Sequence, residues 1–322
     1  MSGMDLRFEP LTFTDVDELS ELAASLGWDI ESVQLSAGRN EIVYDHCVFP
    51  DLVLGHYRTR QSMHSVFELP EGLVLFLITR APKPLTWTGT ELPPTRLGIA
   101  HAGRTHRVTL PTGWDCYEFM VSEALIRRTE VFPLQFFDTS LRTDHPVVPL
   151  PEPGTGRFLD LLDRLFVELR TANGQILPAA RRAEHFEFVL QGLQQIVDAG
   201  LEAPDQGPLR GTRRADLVER ACTFLADRLD GMTTMDRVAQ ELGVSYRVLN
   251  YAFRDTLGVS PYRYYLTERL HATRRLLKSG DATVTKASTA YGFYTPSRFA
   301  MQYKRLFGER PSATGSPRTR HR

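Results

Sequence analysis

Apolar residues along this chain keep two rhythms, and the change from one to the other divides it. Between Val33 and Val121 short β-prone runs (EIVYDHCVF, LVLGHY, GLVLFLIT, RLGIA, HRVTL, DCYEFMV) are broken by Gly, Pro and Asp. That spacing predicts an all-β sandwich or barrel. Ahead of it, Phe13 to Leu26 carries Leu19, Leu22 and Leu26 on one helical face, with Thr14 as the expected cap. Behind it, helical periodicity returns at Arg157 to Arg170 and at Ala179 to Asp198, where Ala183, Phe186, Leu190, Leu193 and Val197 recur at spacings of three and four. The stretch LEAPDQGPLRG, Leu201 to Gly211, has two prolines, two glycines and little to bury, and is predicted to be a linker.

After the linker the helical pattern is nearly continuous and is punctuated at regular places. Val218, Ala221, Cys222 and Leu225 share one face. Met235 to Leu242 follows, then Gly243 as a left-handed stop and Ser245 as the cap of the next helix, SYRVLNYAF. In that helix Leu249, Ala252 and Phe253 fall on one side, and Tyr246, Arg247, Asn250 and Tyr251 on the other. Helix, short glycine turn, second helix is the arrangement whose second helix enters a DNA major groove.

The same grammar recurs about fifty residues on. Thr283 to Tyr291 is a short helix, Gly292 stops it, and Thr295 is the expected cap of a helix opening on Pro296. Phe299, Tyr303 and Phe307 form its apolar stripe, while Arg298, Met301, Gln302, Lys304 and Arg305 make a second, polar face. Pro261 to Leu277 joins the two units, with Leu266, Leu270, Thr273 and Leu277 as a seam and Arg269, Arg274 and Arg275 supplying charge.

Charge sharpens this division. The net charge of −1 hides 20 Lys+Arg against 10 Asp+Glu from Gly211 to Arg322, and 18 against 29 before it. Only the basic half is suited to a polyanion. The three dispersed cysteines, Cys47, Cys116 and Cys222, fit neither a disulfide framework nor a zinc site. The start MSGMDLRFEP lacks a secretory pattern, and Leu73 to Thr79 is too short to span a bilayer. A cytoplasmic protein without a membrane partner is expected.

The stretches VAQELGVSYRVLNYAFRDTLGVSPYRYYLTERL and GFYTPSRFAMQYKRLFGERPS resemble the AraC/XylS-type bacterial transcription regulators over roughly the last hundred residues. The family pattern matches at Gly292, Phe293, Ser297, Phe299, Tyr303, Phe307, Gly308 and Pro311. The resemblance implies two recognition helices entering successive major grooves of double-stranded DNA. Within them Arg247 and Arg298 present guanidinium forks suited to guanine, and Asn250 and Gln302 amides suited to adenine or phosphate. Tyr246, Tyr251 and Tyr294 offer hydroxyls and apolar edges. Ser297 and Met301 share the second face, and Lys304 and Arg305 are placed for the backbone. This chain departs from the pattern at Ala287-Ser288 and at Gln302, which predicts a looser second unit and a more dependable first reader.

The front half resembles, more loosely, the sensing and dimerising domains of that family, through FTDVDELSELAASLGWDIESVQLSAGRN and HYRTRQSMH, as in the subgroup of the ethanolamine-utilisation regulator. The expected fold is therefore α+β. A cupin-like regulatory and dimerisation domain over 1–200 would have its barrel at about 33–121 and helices at about 157–198. The linker at 201–211, an all-α domain of two helix-turn-helix units at 212–314 and a basic tail at 315–322 would follow. The two helices are either the dimer contact or packing against the barrel. A homodimer, a small-molecule effector and RNA polymerase are the further partners this implies, with no cofactor. The alternative is a cupin-type metal enzyme with an accessory DNA-binding domain. Against it, His46, His56, His64, His101 and His106 lack the required His-x-His and glutamate spacing. A DNA-repair alkyltransferase is excluded by its need for four clustered cysteines.

Overall fold

A computed structural model of the chain describes residues 7–25, 27–129, 147–172, 177–203 and 213–314. Most of the predicted linker and the whole basic tail lie outside the described residues. The N-terminal part is built on two antiparallel sheets. The first has the order β1 (Arg7–Phe13), β3 (Ile42–Phe49), β4 (Leu52–Thr59), β11 (Trp114–Ser122), β6 (Leu73–Thr79), β9 (Arg96–His101) and β12 (Val147–Pro149). The second has the order β2 (Asp29–Gln34), β5 (Met63–Glu68), β10 (Thr105–Leu110), β7 (Leu85–Trp87) and β8 (Thr90–Leu92).

Among the described residues no strand pairing joins the sheets, so the expected closed barrel is corrected to two open sheets facing each other. Period-two alternation fixes which side of a strand is apolar, but not whether an edge strand finds a partner. Between the sheets lies one core, in which Tyr57, Leu75, Leu77 and Cys116 of the first meet Met63, Phe67, Leu85, Trp87, Val108 and Leu110 of the second. The outer face of the first sheet carries Leu54, Val74, Phe76, Phe119 and Val121. It packs on α3 (Gly154–Thr171) and α4 (Ala179–Glu202) through Phe158, Leu162, Phe166, Val189 and Leu193. Packing on the sheet is thus observed for these helices within one subunit.

The N-terminal edge differs from expectation. Arg7–Phe13 is a strand paired with β3, and the helix α1 is described from Val16 to Ser25, Leu26 lying outside the described residues. At the helix start the Thr14 N–H donates to Glu18 Oε2 at 3.3 Å, and the Asp17 N–H donates to Asp15 Oδ1 at 3.0 Å. In the sequence, the leucine spacing just after the RFEPLTF run masks its strand character.

The C-terminal part is all helix: α5 (Arg213–Ala226), α6 (Met235–Glu241), α7 (Tyr246–Leu257), α8 (Pro261–Lys278), α9 (Val284–Ala290), α10 (Pro296–Phe307) and α11 (Pro311–Thr314). Helix α8 is shared. Its Tyr264 and Tyr265 complete a core with Val218, Ala221 and Leu225 of α5 and with Val238, Leu249 and Phe253. Its Leu266, Leu270 and Leu277 complete a second core with Ala287, Phe293, Phe299, Tyr303 and Phe307.

These helices cover the outer face of the second sheet, where Val33 and Leu35 join the first helical core. Arg107 reaches Glu219 at 2.9 Å, and Asp15 receives Arg274 at 2.8 Å and Lys278 at 3.0 Å. The molecule is therefore layered as helices, sheet, sheet, helices.

Candidate nucleic-acid interface

Each helix-turn-helix unit is held by local chemistry that its sequence prescribes. In the first, the Ser245 hydroxyl accepts from the Val248 N–H at 3.3 Å, capping α7. Gly243 and Gly258 take positive φ of 68° and 70° at the ends of α6 and α7. In the second, Thr283 caps α9 through the Lys286 N–H at 3.3 Å, and Gly308 ends α10 at φ 75°. Gly292 has no alternative: its φ is 73°, and an added Cβ would stand 2.2 Å from the Asp230 carbonyl oxygen. Thr295, expected to cap α10, makes no side-chain bond to it. Pro296 at the helix start has no N–H to satisfy, which lowers the demand for a cap.

The two recognition helices are of equal length, 12 residues each, or about 18 Å at 1.5 Å per residue. Their inward faces are closed: Leu249, Ala252 and Phe253 in α7, and Phe299, Tyr303 and Phe307 in α10. Their outward faces carry the sequence-predicted residues. Tyr246, Arg247 and Tyr251 are exposed and Asn250 is half-buried. Tyr294, Ser297, Arg298, Met301, Lys304 and Arg305 are exposed and Gln302 is half-buried. On each helix the residues fall at i, i+1, i+4 and i+5, so the structure brings Tyr246, Arg247, Asn250 and Tyr251 onto one face, and Ser297, Arg298, Met301 and Gln302 onto another.

Met301 at 65% and Tyr294 at 69% exposure are large apolar surfaces left in water. Such surfaces suit contact with thymine methyls and sugar edges.

The second unit is not loosened in the expected way. Ala287 and Ser288 are both buried, and the Ser288 hydroxyl donates to the Thr285 carbonyl at 3.1 Å, so the polar substitution is satisfied. Aromatic packing compensates for the small pair: Phe293, Phe299, Tyr303 and Phe307 form an unbroken run with centroid spacings of 5.1, 5.5 and 4.6 Å.

Two of the three arginines expected to supply charge from the joining helix are internal. Arg269 lies 4.4 Å from the Phe293 ring and donates from Nε to the Tyr291 carbonyl at 2.8 Å, tying α8 to the second turn. Arg274 sits between Asp15 and Glu309, at 2.8 Å from each. Arg275 stays half-exposed, 3.7 Å from Asp17.

The structure also adds cations that periodicity did not single out. The Arg214 guanidinium of α5 stands 4.4 Å over the Tyr251 ring and 2.9 Å from Asp255, so one face of that tyrosine is already occupied. On α8, burial and then the like charge of Arg305 push the Arg263 guanidinium below its ordinary value. Neither pairing was visible in the sequence, because Arg214 and Tyr251, like Arg263 and Arg305, are joined only by the tertiary fold.

Comparison with known proteins agrees with this geometry. A family of helix-turn-helix domains matches residues 238–316. A XylDLEGF operon transcriptional activator of Pseudomonas putida is 33% identical over 99 residues, which is 30% of this chain and 30% of that protein. The transcriptional regulator CdhR of Pseudomonas aeruginosa is 37% identical over 81 residues, 25% of this chain and 24% of its own. An AraC-type regulator structure from Chromobacterium violaceum is 26% identical over 33% of this chain and 96% of that one, with a TM-score of 0.32. The chain thus matches less than a third of the length of these curated relatives. Residues 238–316 of this chain match a helix-turn-helix domain family, and over this C-terminal region the chain is similar to transcriptional activators and regulators.

Proposed function

We propose that the whole protein is a sequence-specific, DNA-binding transcription regulator acting in the cytoplasm, with the N-terminal domain modulating the C-terminal one. One observation carries the reading: both recognition helices keep their polar faces exposed, while Val33 and Leu35 of the N-terminal domain join the buried core behind α7. Arg247 and Asn250 would read bases from α7, Ser297, Arg298 and Gln302 from α10, and Lys304 and Arg305 would hold the backbone.

Two antiparallel sheets facing each other across an apolar core also support a cupin-like jelly roll for the N-terminal domain. On α3, Leu161 and Val167 stay exposed at 43% and 60%, apolar positions that a second copy in a homodimer would cover. RNA polymerase and a small-molecule effector would be the remaining partners.

The test is genome-wide mapping of bound DNA, followed by mobility shift on the recovered sequence. A single recurrent site bound in preference to random duplex is the expected result, and uniform binding to any duplex would overturn the reading. The metal-enzyme alternative has no support from the histidines, since three of the five candidates are each engaged elsewhere. His56 meets Asp115 at 2.8 Å, His64 meets Thr109 at 3.0 Å, and His106 meets the His101 carbonyl at 3.0 Å.

A further inference from the structure

Between the two sheets, the core leaves a cavity of about 140 Å³. The chain has three tryptophans, and all of them, Trp28, Trp87 and Trp114, line it. Leu19 and Leu22 of α1 close one side. The wall is almost wholly apolar. Ser32 and Ser65 spend their hydroxyls on each other at 2.8 Å, and the Tyr57 hydroxyl points at Met63 Sδ, 3.6 Å away.

Glu118 is the exception. It occupies an inward position of β11, in series with Trp114, Cys116 and Met120, where an apolar side chain would be the stable choice. Its Oε1 has the Cys116 thiol, a weak donor, 3.8 Å away, and among the described residues no lysine or arginine is paired with it. Burial pushes its carboxyl up to about 7, and its charge in turn pushes the Tyr44 and Tyr57 hydroxyls, already raised by burial, still higher.

Its surroundings are shaped rather than accidental. Glu118 pairs in register with Gly55 of β4, and a Cβ at Gly55 would stand 2.6 Å from the Tyr44 ring. The missing side chain therefore lets Tyr44 lie across the strand beside the carboxyl. A carboxyl without a cation, set among aromatic faces, is complementary to an ammonium on an apolar body. Size narrows the body further, since a cavity of about 150 Å³ takes a benzene-sized molecule. A polyol would leave its hydroxyls unpaired against this wall, and an anion would meet Glu118.

We propose that this cavity binds a monocyclic apolar amine, its ammonium paired with Glu118 and its ring packed among Trp28, Trp87 and Trp114. This rests on the reading of the N-terminal domain as a modulating one, and gives that domain its ligand class.

The test is titration of the full chain, monitored by intrinsic tryptophan emission, with three probes of one skeleton: 2-phenylethylamine, 2-phenylethanol and phenylacetate. The amine is expected to give a saturable change, the alcohol to bind at least about tenfold more weakly, and phenylacetate not to bind. Glu118→Gln is expected to lose about tenfold or more in amine affinity while keeping the alcohol's, with unchanged circular dichroism showing that the fold persists. Equal amine affinity in Glu118→Gln, phenylacetate binding as tightly as the amine, or no saturable response to any probe would each overturn the proposal. Mobility shift on the mapped DNA site, run in parallel, separates the two readings: sequence-specific DNA binding without amine binding removes the ligand and leaves the regulator.

Discussion

Gln34 Nε2 of the N-terminal domain donates to the carbonyl of Leu306, at the end of the second recognition helix, at 2.8 Å. The Gly38 N–H adds bonds to the Arg305 and Leu306 carbonyls at 3.0 and 3.1 Å. The last carbonyls of a helix have no partner inside it. Here the sheet domain supplies those partners, so one domain caps α10 of the other. Gln34→Ala is expected to destabilise the last turn of α10 by about 1–3 kcal/mol, the cost of leaving a buried acceptor unpaired. Amide hydrogen exchange checks this: residues 304–308 should exchange faster while the last turn of α7 keeps its protection.

The ion pair of Asp15 with Arg274 is buried on both sides, with side-chain exposures of 3% and 6%. Burial alone would raise the Asp15 carboxyl, but the Arg274 and Lys278 charges hold it well below the usual range. Removing one member of such a pair costs about 3–5 kcal/mol, because the other charge stays buried. Asp15→Asn is expected to fall toward the lower end, since Arg274 keeps Glu309 at 2.8 Å. Urea unfolding measures the loss, and scattering in solution should show a less compact molecule.

Two groups at this interface give opposite pH responses. The Gln34 N–H donates to His271 Nε2 at 3.0 Å, so that nitrogen must be unprotonated. Burial, with Arg275 adding, pushes His271 down to about 3. The unfolded chain takes up that proton near pH 6.5 and the folded chain does not, so this contribution is full above about pH 6.5 and is lost on acidification. The stability difference between the parent and His271→Gln should therefore move against the parent from about pH 7 to about pH 5. Asp17 behaves the other way. Burial and then the Asp15 carboxylate push it up to about 6, against Lys278 and Arg275. Its contribution is full below its unfolded value near 3.9 and is lost as pH rises through about 6. Asp17→Asn should therefore stabilise above about pH 7 and give no gain near pH 4, and urea unfolding at these pH values reads both variants.

For base reading, Arg247→Ala and Arg298→Ala are each expected to weaken operator binding by about 1–3 kcal/mol and to relax preference at one base position. Selection of binding sites from a random pool checks both. A specificity profile identical to the parent's would remove that arginine from the reading face. With both helical cores equally closed, the two substitutions should cost similar amounts.

Lys304 is exposed on the last turn of α10. Lys304→Ala is expected to lower affinity for every duplex alike and to reduce the slope of log affinity against log salt by about 1. Affinities at three salt concentrations are enough to decide.

The helical half was legible because its information is local. Ser245 as a cap, Gly243 and Gly292 as stops, and the stripe of Phe299, Tyr303 and Phe307 act within one or two turns of helix. The strands were legible as strands for the same reason, since alternation is a property of neighbours. Their closure was not, because an edge pairs or fails to pair according to distant chain. Arg274 shows the limit most directly. As a residue, it is one more positive charge beside Arg275; its burial depends on Asp15, 259 residues away, and on Glu309.

By itself, then, the sequence determined the elements, the tandem helix-turn-helix and the exposed polar faces of α7 and α10, all set by periodicity and short-range hydrogen bonding. Only the tertiary structure decided that Gln34 caps α10, that Arg214 stacks on Tyr251, and that Glu118 faces a cavity lined by all three tryptophans. Those outcomes follow from surfaces brought together across the whole chain, where desolvation and shape, rather than residue type, set what each side chain does.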